Sequence, residues 1–116
     1  NPAQTVALLG SDLFGVHLND GHSRLGAEDG LMFGTVHPTL ALDLMYWLQK
    51  VQYPGHLYMD TFPRNEDPVA ECEFNIRRAQ ALWARAARLR SQGLDTHLAR
   101  HDALGALELM EARGEL

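Results

Sequence analysis

The chain is poor in cysteine and in long apolar runs, and each scarcity excludes a class of protein. Cys72 is the only cysteine among 116 residues, so neither an intrachain disulfide nor a cysteine-based zinc site can form. No apolar stretch approaches the roughly 18 residues that a membrane helix needs, and no signal peptide is visible. We therefore expect no membrane association and a reducing, cytoplasmic environment.

Basic residues are also in the minority. The chain has ten lysines and arginines and 15 aspartates and glutamates, which gives a formal net charge of -5 and a pI near 5.6. Nucleic-acid-binding domains usually carry a basic surface, so the charge predicts that nucleic acid is not a partner. The remaining composition, 46% hydrophobic and 22% charged, is ordinary for a globular protein, and the length allows at most one domain.

Two short apolar runs, residues 13–18 and 56–60, have the alternation of β-strands. In the first run, the alternation places Phe14, Val16 and Leu18 on one face. A loop and then an amphipathic helix follow each run. This order predicts parallel pairing with a helical crossover, which is the arrangement of α/β proteins.

Capping residues and helical periodicity predict four helices. They span residues 2–9, 38–52, 68–92 and 95–112. Asn1 and Asp67 are the expected N-caps, each before a proline, and Gly93 is expected to end the third helix. The buried stripe of the third helix is expected to contain Val69, Cys72, Ile76, Ala79, Trp83 and Ala86.

Two parallel strands are too few for a stable sheet, because parallel sheets need neighbouring strands and cover on both faces. The chain also begins on a helix cap without an initiator methionine, which is typical of a segment taken from a longer protein. We therefore expect the missing strands to come from the rest of a longer chain, from a second copy in a homo-oligomer, or from a partner.

Polar residues capable of metal binding stand at the ends of both predicted strands. His17 ends the first strand and Asp60 ends the second. Because the carboxyl ends of adjacent parallel strands lie at one edge of a sheet, both side chains are expected to point into one pocket. Each also has a simpler interpretation: His17 could hydrogen-bond to its loop, and Asp60 could cap a helix or pair with an arginine.

The long loop between residues 19 and 33 offers further ligands. Its polar side chains are Asn19, Asp20, His22, Arg24, Glu28 and Asp29. Glu28 and Asp29 form an acidic pair between glycines that could fold over a metal, although such residues are commonly just solvated. Loops of this length without secondary structure are often functional.

With these residues in view, the chain resembles the C-terminal part of the xylose-isomerase-like TIM barrels, a superfamily of metal-dependent sugar isomerases and epimerases. It is most similar to the L-rhamnose isomerase type. The resemblance covers about residues 13–83. It rests on His17-Leu-Asn-Asp20, the acidic loop leading to Gly30-Leu-Met-Phe-Gly34, the helix after His37-Pro38, and Tyr58-Met-Asp-Thr-Phe-Pro63.

The resemblance implies a fold and a reaction. Residues 1–93 would contain the last two β/α units of a (β/α)₈ barrel, and residues 94–116 would form a C-terminal extension helix. His17 and Asp60 would match metal ligands at the ends of the seventh and eighth strands, and Glu28 or Asp29 would match the ligands of a second ion. The family's usual Asp-x-Asp is absent there, since Gly30 stands where a second aspartate is expected.

The implied activity is aldose–ketose interconversion with a divalent ion, Mn²⁺, Mg²⁺ or Co²⁺, and a sugar as the substrate. The other ligands and the groups that hold the sugar lie on earlier strands, so the isolated chain is expected to be catalytically silent. Two alternatives stay within the superfamily: a sugar epimerase, or a hydrolase acting on abasic DNA, which the acidic charge disfavours. A third is a non-catalytic, self-associating module.

Overall fold

Two short parallel strands and five α-helices make up the fold in the computed structural model, which describes residues 1–116. Their bounds are α1 Pro2–Leu9, β1 Val16–Leu18, α2 Pro38–Lys50, β2 Leu57–Met59, α3 Pro68–Ser91, α4 Leu94–Ala99 and α5 Ala103–Ala112, with a 3₁₀ turn at Gly10–Asp12. The α/β class and the predicted order of the first five elements are confirmed. None of the helices has the length and apolar content needed to span a bilayer.

The strands pair in parallel, as predicted, with Val16 opposite Leu57 and Leu18 opposite Met59. Helix α2 forms the crossover between them. The sheet contains only these two strands, so one edge of each strand has no partner.

Local signals place the start of α1 and both ends of α3. The side chain of Asn1 accepts a hydrogen bond from the Ala3 N–H at 2.9 Å, and that of Asp67 accepts one from the Ala70 N–H at 2.8 Å. Both caps satisfy amide groups that have no partner within the helix. Gly93 follows α3 with a φ of 101°, a left-handed conformation that glycine adopts without a Cβ clash.

The hydrophobic core lies mainly around α2, which packs against α1 on one side and α3 on the other. Its fully buried side chains include Leu18, Met45, Leu48 and Leu82. Only 21 of 116 residues are buried, so much apolar surface is left in contact with solvent. Leu94 and Ala106 join the same core, so α4 and α5 pack directly on the rest of the chain.

Two sequence-based expectations are wrong: the start of the first strand and the buried stripe of the third helix. Phe14 is 90% exposed and precedes β1, because the strand begins only at Val16. The expected stripe is exposed at Val69, Cys72, Ile76 and Trp83, because the buried stripe of α3 is rotated relative to it. The buried residues of this helix are Glu71, Asn75, Ala79, Leu82, Ala86 and Leu89.

The predicted C-terminal helix is in fact two helices. Helix α4 ends at Ala99, and His101 takes a left-handed φ of 55°, which no continuous helix accommodates. Asp102 then caps α5 by accepting a hydrogen bond from the Gly105 N–H at 2.9 Å. Gly93 occupies the cap position of α4.

Candidate functional site

His17 and Asp60 lie side by side at the edge where both strands end. His17 Nδ1 is 3.3 Å from Asp60 Oδ2, and the side chains are 66% and 46% exposed. The Asp60 N–H donates to the Leu18 carbonyl at 3.0 Å, so the ladder extends one residue beyond β2. The predicted convergence of the two side chains is therefore present, and we call them the strand-end pair.

Neighbouring groups hold the strand-end pair from two sides. The Asn19 side-chain amide donates to the Asp60 carbonyl oxygen at 3.0 Å, which fixes the backbone after β2 against the backbone after β1. The rings of His17 and Tyr58 lie 5.5 Å apart between centroids on the same exposed face of the sheet. The face that carries the pair is thus polar and open to solvent.

A polar cavity of about 540 Å³ opens beside Asp60. Its lining consists of Asn19, Asp20, Gly21, His22, Ala27, Glu28, Asp29, Asp60 and Phe62. Both predicted loop ligands therefore share a cavity with Asp60, whereas His17 lines a neighbouring cavity of about 290 Å³. No group of three or more histidine, cysteine, aspartate or glutamate side chains is arranged to hold a metal ion.

The two loop acids differ in what they contact. Both carboxylate oxygens of Asp29 accept hydrogen bonds from the Arg24 guanidinium, at 2.6 and 2.9 Å, and one also accepts the His22 N–H at 2.8 Å. The arginine hydrogen bond, followed by that from His22, lowers the pKa of Asp29 to about 2. Glu28 is exposed beside it. Asp29 could bind a metal only after Arg24 had moved away.

Asp20 has a structural role that the sequence did not indicate. One of its oxygens accepts the N–H groups of Val36 and His37 at 2.8 and 2.9 Å, and the other contacts His37 Nδ1 at 2.9 Å and the Gly21 N–H at 2.9 Å. Burial raises the pKa of Asp20, but these hydrogen bonds, those of His37 foremost, hold it below its ordinary value. The carboxylate ties the start of the loop to the start of α2.

A second buried contact joins the loop to α3. Asn75 accepts the Phe33 N–H at 2.9 Å and donates to Glu71 at 2.7 Å, and Glu71 in turn accepts the Thr61 hydroxyl at 3.0 Å. The segments after both strands are thereby held on one helix. Asp20 with His37, and Glu71 with Asn75, are called the loop anchors below. The one sequence signal for the second anchor was the four-residue spacing of two polar side chains ahead of Ala79.

The histidines of the C-terminal region do not form a metal site. His97 Nδ1 lies 2.8 Å from Asp102 Oδ2, so this ring supports the cap of α5. His101, one turn along in the sequence, lies in the break between the helices and has the left-handed φ of 55°.

No protein-family model, no curated protein and no solved structure matches the chain. Its residues are therefore the basis for a functional proposal. The strand-end pair combines an imidazole with a carboxylate, which can serve as two ligands of one metal ion or as a proton-transfer pair.

Proposed function

We propose that the chain supplies the last two β/α units of a divalent-metal-dependent sugar isomerase that interconverts an aldose and a ketose. The observation that carries the proposal is the strand-end pair, His17 and Asp60, 3.3 Å apart at the carboxyl ends of two parallel strands. That edge of a parallel sheet is where (β/α)₈ barrels place their catalytic groups.

The unpaired edge of β2 supports the interpretation of the chain as part of a (β/α)₈ barrel. Between β2 and α3, Leu57 and Met59 line an apolar groove of about 420 Å³ together with Ile76, Ala79 and Trp83. A further parallel strand and the helix after it would cover such a groove. A complete barrel of about 250 residues would then place its first strand here, beside its eighth.

The residues present fit part of a metal site. An imidazole and a carboxylate suit Mn²⁺, Mg²⁺ or Co²⁺, which take nitrogen and oxygen ligands. Two donors are too few for these ions, which favour about six ligands. The proposal therefore assigns the remaining ligands to earlier strands of the barrel, with Glu28 or Asp29 as candidates for a second ion.

Within the complete enzyme, the ion would bind adjacent sugar oxygens and polarise the carbonyl. The chain's own residues hold the geometry: Asn19 fixes the backbone of Asp60 against the first strand through its 3.0 Å hydrogen bond. Glu28 and Asp29 of the long loop, with Phe62 from the segment after β2, bound the cavity in which the sugar would lie. By itself, the chain is expected to have no isomerase activity.

A paramagnetic titration of the chain with Mn²⁺ tests the assignment of the ligands. Mn²⁺ broadens nearby amide resonances even when binding is weak, so two donors are enough for detection. We expect selective broadening around residues 17–19 and 59–61, and we expect Asp60→Asn to abolish it. Asp12→Asn, which removes an exposed carboxylate in the 3₁₀ turn, is the matched control and should leave the broadening unchanged.

Broadening spread evenly over the acidic surface, or unchanged by Asp60→Asn, would contradict the ligand assignment. The reaction itself is tested on a longer polypeptide that carries the remaining strands, by following aldose–ketose conversion with added Mn²⁺. An epimerase of the same superfamily is the alternative that this assay separates, because its product stays an aldose or stays a ketose.

A non-catalytic self-associating module is the second candidate function. The unpaired strand edges and the apolar groove beside β2 favour it, since a second copy could cover both. Sedimentation of the wild type and of Trp83→Glu distinguishes the cases. A dimer that the charged variant dissociates supports the module, and a monomer that binds Mn²⁺ at the strand-end pair supports the isomerase.

A further inference from the structure

Ser23, His37 and Asp20 form a continuous chain of hydrogen bonds outside the strand-end pair. Ser23 Oγ lies 2.9 Å from His37 Nε2, and His37 Nδ1 lies 2.9 Å from Asp20 Oδ1. The Asp20 side chain is only 8% exposed and is held by three backbone N–H groups. A carboxylate in that position accepts only, so Nδ1 of His37 carries the proton and Nε2 is free to accept from the serine hydroxyl.

We propose that these three residues act as a nucleophile, a general base and an orienting carboxylate, and that they hydrolyse carboxylic esters. Nucleophilic serines are recognised by a base within hydrogen-bonding distance and a third group that orients the base. Both distances meet that criterion. The three residues are distinct from His17 and Asp60, although His17 lines the same 290 Å³ cavity as His37 and Asp20, and Asp20 also lines the cavity beside Asp60.

The base and its carboxylate stand beside open space. His37 and Asp20 line the cavity of about 290 Å³, whose lining is partly apolar and partly polar. Ser23 is exposed, so an ester can approach its hydroxyl from solvent. The Ser23 N–H makes no hydrogen bond within the chain and is available to the oxygen of a substrate carbonyl.

The proposed step is acyl transfer to the serine and then to water. Ser23 Oγ attacks the ester carbonyl carbon while its proton passes to His37 Nε2, and the bond to the leaving alcohol breaks as that proton passes to the alcohol oxygen. A water molecule then attacks the acyl-serine and gives its proton to His37, which returns it to Ser23 Oγ. The products are an alcohol and a carboxylic acid, and no oxidant or metal is required.

Labelling with diisopropyl fluorophosphate, followed by intact mass measurement and peptide mapping, tests the proposal. We expect one phosphoryl adduct, located on Ser23, in the folded wild-type chain. Ser23→Ala should abolish it, and His37→Gln should slow it by roughly a hundredfold or more, the usual contribution of a general base. Ser11→Ala removes another exposed serine and is the matched control, with labelling unchanged.

Circular dichroism of each variant confirms that the loss is not a loss of fold, and Ser23→Ala is the safest variant because its side chain is exposed. Hydrolysis of p-nitrophenyl acetate should follow the same ranking as labelling. No adduct on the folded wild type, an adduct that persists in Ser23→Ala, or a labelling rate unaffected by His37→Gln would each overturn the proposal.

Discussion

The loop anchors and the strand-end pair place polar side chains in two contrasting environments. The loop anchors, Asp20 with His37 and Glu71 with Asn75, are largely buried and hydrogen-bonded at distances of 2.7–2.9 Å. The strand-end pair is half exposed, and its single mutual contact is longer, at 3.3 Å. The same loop joins the two settings, yet one is saturated with partners and the other is not.

The difference separates polar groups that already have hydrogen-bond partners inside the fold from polar groups whose ligand positions are still open to a metal ion. A buried polar group without partners costs about 1 to 3 kcal/mol, so the anchors are stable only as complete networks. An exposed pair carries no such requirement, because water can satisfy it. His17 and Asp60 are therefore free to bind a metal ion, whereas the loop anchors stabilise the folded state.

Removing a loop anchor should have the largest effect. Asn75 is fully buried, and Asn75→Ala leaves the Phe33 N–H and one Glu71 oxygen without partners. We expect a loss of about 2 to 3 kcal/mol in the free energy of unfolding, measured by urea denaturation. Asn65→Ala, in the exposed turn before α3, is the control and should change it by less than about 0.5 kcal/mol. Equal effects would remove the distinction between the two settings.

The first anchor should show the next largest effect, with a defined pH dependence. Asp20→Ala removes a carboxylate that accepts the N–H groups of Val36 and His37 just before α2, and we expect a loss of about 2 kcal/mol at neutral pH. Burial raises the pKa of Asp20, but its hydrogen bonds hold it below the ordinary value of 3.8.

A lowered pKa in the folded state determines the sign of the pH dependence. The stabilisation from the Asp20 carboxylate is complete above pH 3.8 and is lost as the pH falls below that value through the folded-state pKa. The difference in unfolding free energy between wild type and Asp20→Ala should therefore shrink below pH 3.8. A difference that stays constant down to pH 2 would contradict the ionised anchor.

A glycine between the two settings allows a smaller test. Gly30 has a φ of 61°, and a Cβ at this position would collide with the ring of Phe62. The backbone N–H of Phe62 donates a hydrogen bond to the Gly30 carbonyl at 2.9 Å, which keeps the two residues together. We expect Gly30→Ala to cost between about 1 and 2 kcal/mol by thermal denaturation. Gly26→Ala has a similar φ of 69° and no neighbour within 4 Å, so it isolates the backbone cost. If Gly30→Ala lowered the stability no more than Gly26→Ala does, the Phe62 ring would be able to move aside without cost.

The sequence predicted the fold where local chemistry decides it. Asn1 and Asp67 cap helices through hydrogen bonds to residues two and three positions along the chain. Contacts of such short range can be predicted from the sequence. The buried face of α3 could not be predicted from hydrophobic periodicity, because its first two buried positions are the polar residues Glu71 and Asn75. Cys72 was placed inside for the same reason.

The candidate site divides in the same way. His17 and Asp60 could be brought together from the sequence, because parallel pairing alone aligns the ends of the two strands. The contact of Asp20 with His37 and the contact of Arg24 with Asp29 depend on how the loop folds back, and no periodicity encodes that path. Composition identified the loop's acids as candidates but could not say which of them already had partners.

The smallest change in stability is expected at the strand-end pair. His17→Ala and Asp60→Asn each remove an exposed group whose one side-chain partner is 3.3 Å away, so the free energy of unfolding should change by less than about 0.5 kcal/mol in urea. Residues kept for chemistry commonly add little to stability. A loss above about 1.5 kcal/mol in either variant would place His17 and Asp60 among the structural anchors, since only a saturated buried contact has that value. A neutral result together with lost Mn²⁺ broadening would set the pair apart as a site in which binding and folding are separable.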